Sequence, residues 1–84
     1  MKIARETQQK SYEVVLYTRA GCHLCDDAER LLIEHGLRPI KLDIDDDSAL
    51  RERFDSCVPV VEIDGKIRFR GRVNRVLLRR LLGS

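Results

Sequence analysis

Residues 12–25 read YEVVLYTRAGCHLC, Tyr12 through Cys25. The first half, Tyr12 to Thr18, is rich in β-branched and aromatic residues and reads as a strand. Its nearly continuous apolar character suits a central strand buried on both faces. Arg19-Ala20-Gly21 reads as a turn. From about Cys22 to His35 the pattern changes period, with Leu24, Ala28, Leu31, Leu32 and His35 at helical spacing on one side. Asp26, Asp27 and Glu29 fall early, where the helix dipole favours anions. Gly36, with Pro39 three residues on, is a stop signal. Two cysteines three apart therefore fall where a buried strand turns into a helix.

Downstream, residues 39–45 alternate with period two and predict a second strand with Ile40, Leu42 and Ile44 on one face. The aspartates that follow can cap a short helix, about Ser48 to Phe54, with Leu50 and Phe54 at i, i+4. Val58 to Ile63 reads as a third strand. Asp64-Gly65 is the signal of a two-residue type I′ hairpin turn. Lys66 to Arg70 then forms the fourth strand, with Ile67 and Phe69 on one face. After Gly71, Val73, Val76, Leu77 and Leu81 mark the stripe of a last helix. The order is β-α-β-α-β-β-α. The first two strands, joined by a helix, pair in parallel through a right-handed crossover, and the last two form an antiparallel hairpin. The expectation is an α/β domain over residues 12–84, a four-stranded mixed sheet flanked by three helices, after a flexible polar lead-in at residues 1–11.

Eighty-four residues allow one domain and one core. Sixteen basic and fourteen acidic side chains give a net charge of +2, too near balance to indicate a general affinity for nucleic acid. The charge is unevenly spread: Asp43, Asp45, Asp46 and Asp47 cluster in mid-chain, while arginines from Arg68 to Arg80 crowd the C-terminus. Both clusters read as solvated surface. No apolar run approaches the roughly 18 residues of a membrane span, and the N-terminus has no secretory apolar core. A cytoplasmic monomer is expected, in a compartment that keeps thiols reduced. The three cysteines are an odd number, which argues against a disulfide framework.

The cysteine pair carries the chemistry. At a helix N-terminus, free backbone N–H groups and the positive end of the dipole favour a thiolate on Cys22, while Cys25, a turn deeper, stays a thiol until needed. That asymmetry suits disulfide exchange: the outer thiolate attacks a target disulfide, and the inner thiol then displaces the target. Two other readings stand beside it. A Cys-x-x-Cys pair also serves zinc and iron–sulfur sites, but zinc usually takes four ligands, and Cys57, His23 and His35 are the only spare soft ones. The pair could also be redox-silent. No metal and no tightly bound cofactor is expected. Asp43, Asp45 and Asp47 mimic the opening of a calcium loop, yet Ser48 and Phe54 stand where that loop needs glycine and glutamate. His23 could add positive charge beside Cys22, and Cys57 reads as a small packed residue.

The residues Tyr17-Thr18-Arg19-Ala20-Gly21-Cys22-His23-Leu24-Cys25, then Val58-Pro59, then Gly71, resemble the glutaredoxin family of the thioredoxin fold, in particular its short branch with a Cys-His-Leu-Cys centre. The resemblance implies a thiol–disulfide oxidoreductase with Cys22 as nucleophile and Cys25 as resolving thiol. It implies a cis Pro59 whose neighbour Val58 offers its backbone to an incoming peptide or glutathione. Arg19 matches a position often held by lysine and would favour the thiolate or a glutathione carboxylate. Departures are visible: His23-Leu24 replaces the usual Pro-Tyr, Cys57 replaces a threonine, and Arg70-Gly71-Arg72-Val73-Asn74 has one glycine and no acid. The implied partners are disulfide-containing proteins, with glutathione or a thioredoxin reductase-like flavoprotein as electron donor.

Overall fold

In the computed structural model, which describes residues 12–55 and 57–83, the opening strand runs Val14–Thr18 (β1). The expected lead-in at residues 1–11 lies outside the described residues. Three further strands follow, β2 (Ile40–Asp43), β3 (Val60–Ile63) and β4 (Lys66–Arg70), in the sheet order β2-β1-β3-β4. β1 pairs in parallel with β2 and antiparallel with β3, and β3 pairs antiparallel with β4. A parallel neighbour requires a crossover, and α1 (His23–Glu34) supplies it. A 3-10 turn (Ile44–Asp46) and α2 (Ser48–Phe54) lie between β2 and β3, and α3 (Arg75–Leu81) closes the chain. This is the thioredoxin fold. Among the described residues no helix is long and apolar enough to cross a membrane.

Side-chain alternation along β1 divides the core in two. Val14 and Leu16 pack with Ala28 and Leu32 of α1, Val61 and Ile63 of β3, Phe69 of β4 and Leu78 of α3. Tyr17, with Val15 beside it, faces the opposite side, against Ile44, Phe54 and Val60. Helices α1 and α3 thus cover one face and α2 the other. The hairpin turn has Asp64 at φ +52° and Gly65 at φ +85°, the two left-handed residues a type I′ turn demands.

Three expectations from the pattern are corrected. Val61 pairs with Phe69 but Glu62 pairs with Ile67, so Arg68 is an extra residue in β4. This bulge sends Phe69 to the α1 side and Ile67 to the α2 side, where strict alternation had put them together. β2 ends at Asp43, and Ile44 turns inward as the first residue of the 3-10 turn, fully buried. Ile40 and Leu42, on the edge strand, stay 61% and 39% exposed. In α3, Asn74 caps the helix by accepting the Leu77 N–H at 3.0 Å. That start sets the phase so that Leu78 is buried while Val73, Leu81 and Leu82 pack against it. Val76 and Leu77, assigned to the stripe, are exposed.

The mid-chain aspartates serve the local backbone. Asp43 accepts the Asp45 N–H at 2.9 Å, and Asp47 accepts those of Ala49 and Leu50 at 2.8 and 3.4 Å, capping the 3-10 turn and α2.

Candidate active site at the strand-to-helix corner

Cys22 is the N-cap residue of α1, with extended backbone at φ −97°, ψ 110°. Its carbonyl accepts the Asp26 N–H at 3.2 Å, and its sulfur accepts the Cys25 N–H at 3.1 Å. Sulfur therefore occupies the place that a serine or aspartate oxygen takes at most N-caps. An anionic acceptor makes the stronger bond to such a donor. The two cysteines differ in exposure: Cys22 is half-buried and Cys25 is 3% exposed. Burial, first, and the hydrogen bond with Cys22, second, push the Cys25 thiol up to about 12, against a backbone hydrogen bond from Arg19 that acts the other way. All three cysteines are unbridged.

Strand register assembles the rest of the corner. Tyr17 pairs with Val60, and Val60 pairs with Arg70. The segment after β1, the residues before β3 and the residue after β4 consequently meet at one end of the sheet. Those are Arg19–Cys22, Val58-Pro59 and Gly71. The Val58–Pro59 peptide is cis, and the Pro59 carbonyl accepts the Gly71 N–H at 2.7 Å. Gly71, at φ +88°, makes the left-handed turn that carries the chain from β4 toward α3. Val58 packs against the Tyr17–Phe54 cluster and precedes the paired part of β3.

The other candidate residues are placed as follows. Arg19 Nε and Nη2 donate to the Asp45 carboxylate at 3.1 Å each. Its Nη1 and Nη2 donate to the carbonyl and carboxylate of Asp55 at 3.0 and 2.9 Å. Those hydrogen bonds to Asp45 and Asp55 hold the guanidinium even more firmly charged than usual. Sequence reasoning named Arg19 but missed both partners, which lie 26 and 36 positions away with no local spacing to mark them. His23 opens α1 and is exposed. Cys57 is half-buried, with its N–H donating to the Phe54 carbonyl at 2.9 Å. His35 sits at the far end of α1, its Nδ1 2.9 Å from the Leu31 carbonyl. Among the described residues no three of His, Cys, Asp and Glu converge as metal ligands.

Among the described residues, clefts open on both sides of the first turn of α1. One, of about 380 Å³, reaches Cys25 between Thr18–Gly21 and the polar edge formed by Asp26, Lys41 and Asp43. The other, of about 430 Å³, lies between α1 and the segment entering α3 and begins at Leu24, between the two cysteines.

Comparison with known proteins agrees with this geometry. No curated protein matches the chain. Among solved structures it is similar to the structural-genomics target protein XcR50 from X. campestris, at 34% identity and a TM-score of 0.71, covering 82% of this chain and 93% of that one. It shares its fold with glutaredoxin 1 from Francisella tularensis, at 24% identity and a TM-score of 0.70, covering 88% of this chain and 100% of that one. The same holds for protein Ne2328 from Nitrosomonas europaea, at 22% identity and a TM-score of 0.74, covering 90% and 96%. A family model matches residues 13–83, which takes in β1, the cysteine corner, the cis-proline and all of α3, and the chain accordingly belongs to the glutaredoxin-like domain family (DUF836).

Proposed function

We propose that the protein is a dithiol–disulfide oxidoreductase in which Cys22 is the nucleophile and Cys25 the resolving thiol. The observation that carries this reading is the bond from the Cys25 N–H to the Cys22 sulfur at 3.1 Å, with Cys25 itself buried. One sulfur is presented and held by a donor, and the other is kept protonated behind it.

The chemistry balances in two displacements. The Cys22 thiolate attacks one sulfur of a target disulfide. That S–S bond breaks, the distal sulfur leaves as a thiolate and takes a proton from water, and Cys22 is joined to the target as a mixed disulfide. Cys22 then carries no charge, so its contribution to holding the Cys25 proton is gone. The Cys25 proton passes to solvent and its thiolate attacks the Cys22 sulfur. The second target sulfur departs as a thiolate and takes a proton from water, and the Cys22–Cys25 disulfide closes. Two electrons have moved from the protein to the target. A thiol donor of the glutathione class, or a flavoprotein dithiol, reverses the process and restores the pair. Val58 precedes the paired part of β3 beside this corner, and its backbone is the docking edge for the target segment.

A mixed-disulfide trap tests the assignment. In a Cys57→Ser background, Cys25→Ser is expected to hold a disulfide-bearing substrate covalently on Cys22, released by dithiothreitol, while Cys22→Ser captures none. Equal adducts from both variants would sink the assigned roles.

A further inference from the structure

The cleft that begins at Leu24 has a charge pattern that the exchange chemistry does not use. Its floor is apolar: Ala28 is buried, Leu31 and Val73 are partly buried, and Leu24 is 39% exposed. Its rims are charged, and four of those charges are matched. Arg30 pairs with Asp27 at 3.4 Å and Arg75 with Glu34 at 3.1 Å. Arg72 also lines the cleft, yet among the described residues it makes no ion pair. It stands next to Gly71, whose N–H braces the cis-proline. From Gly65 to Ser84 the sequence has seven basic residues and no acidic one, so no acidic side chain adjoins Arg72 along the chain.

We propose that this cleft seats the polypeptide that flanks the target disulfide, and that it selects segments with an apolar side chain followed by a carboxylate. The apolar side chain lies on Leu24, Leu31 and Val73, and the carboxylate meets the guanidinium of Arg72. Charge complementarity favours this occupant: among the described residues the unmatched charge in the cleft is positive, and the apolar floor has room for a side chain. The inference rests on the dithiol reading and narrows it to a substrate class, acidic protein segments.

The test uses two peptides that differ at one position. Each has a cysteine blocked as a neutral mixed disulfide with 2-mercaptoethanol, then leucine, then either glutamate or lysine. Pre-reduced protein supplies both electrons, so no other reductant is present, and the rate of peptide-thiol release is followed over a single turnover. Wild type is expected to favour the glutamate peptide about two- to fivefold at low salt, the range of an exposed ion pair, with the ratio shrinking toward one at 1 M salt. Arg72→Glu is expected to invert the ratio, and a ratio taken on one protein cancels any change in its folding or intrinsic reactivity. An unchanged ratio in Arg72→Glu would overturn the proposal. So would equal rates on wild type combined with retention of a single-stranded oligonucleotide that Arg72→Glu abolishes, which would assign the basic surface to nucleic acid. Reaction of wild type with the uncharged bis(2-hydroxyethyl) disulfide separates the two claims. If that disulfide is reduced and the peptides show no preference, the substrate class alone is wrong. If it is not reduced, the dithiol reading itself fails.

Discussion

Raising the pH should destabilise the reduced protein through one buried thiol. Cys25 is 3% exposed, and burial leads the causes that lift its thiol from an ordinary 9.0 to about 12. Below about pH 9 the native and unfolded chains both hold this proton, and the group leaves stability unchanged with pH. Between about 9 and 12 the unfolded chain releases the proton while the native state keeps it. Stability therefore falls as pH rises through that window. At pH 10, one pH unit above the unfolded value, the difference is on the order of 1 kcal/mol. The assay is urea unfolding under a phosphine reductant at pH 7.5 and pH 10, for wild type and for Cys25→Ala. Other groups titrate over the same range, and the difference between the two proteins removes them. Reduced wild type is expected to lose on the order of 1 kcal/mol more than the variant, whereas oxidised wild type, whose Cys22–Cys25 disulfide has no proton to lose, should show no such excess. Equal losses in reduced wild type and Cys25→Ala would mean that Cys25 ionises like a free thiol, and the division of labour between the two sulfurs would have no basis.

Four further outcomes are expected. Leu32→Ala, at a fully buried position between α1 and the sheet, should cost about 2–5 kcal/mol; a loss below about 1 kcal/mol in urea unfolding would contradict the packing of α1. Gly65→Ala forces a side chain onto a residue at φ +85° and should cost about 1–2 kcal/mol, read as a lower Tm, and an unchanged Tm would argue against the type I′ turn. Asp47→Ala removes the acceptor for two N–H groups at the start of α2 and should cost about 0.5–2 kcal/mol, with an unchanged urea midpoint contradicting the cap. Arg19→Gln breaks the ion pairs to Asp45 and Asp55 and should lower Tm at low salt, with the gap narrowing at 1 M salt; a gap independent of salt would show that the pairs are not what Arg19 contributes.

Local chemistry explains what was legible in the sequence. Ser48–Phe54 and Lys66–Arg70 have the bounds expected from capping aspartates and from the Asp64-Gly65 turn, because those signals act within a few residues. The corner at Cys22 was legible for the same reason, since a strand pattern and a helix pattern abut there. Failures arose where a distant partner decides the outcome. The bulge at Arg68 depends on how β4 lies against β3, and no residue in Lys66–Arg70 announces it. Ile40 and Leu42 have the alternation of a buried face, but burial depends on what covers β2, and β2 is an edge strand. Val76 and Leu77 are apolar and contiguous with Leu78, so composition alone could not set the helix phase that Asn74 sets. At the site, Cys22, Cys25, Pro59 and Gly71 came from motif and resemblance, whereas the Arg19–Asp45–Asp55 cluster required the fold.

That cluster changes the meaning of the charge distribution. Read along the chain, Asp43–Asp47 and Arg68–Arg80 are two solvated runs of opposite sign. In the fold they flank the dithiol from opposite sides, because β2 and β4 are the two edges of the sheet and the cysteine corner sits above the strands between them. The acidic side is largely spent: Asp43 and Asp47 cap backbone, and Asp45 with Asp55 binds Arg19. Arg19, which precedes α1, is thereby matched by carboxylates, and a substrate carboxylate approaching from that side would have to displace two protein carboxylates from its guanidinium. On the opposite side, Arg75 is matched by Glu34 and Arg72 is not matched among the described residues. On the proposed reading, attraction for an anionic substrate comes from the β4–α3 side of the corner. If Arg19 were instead the carboxylate reader, Arg19→Gln would erase the preference for the glutamate peptide and Arg72→Glu would leave it intact, the reverse of what this arrangement of charges requires.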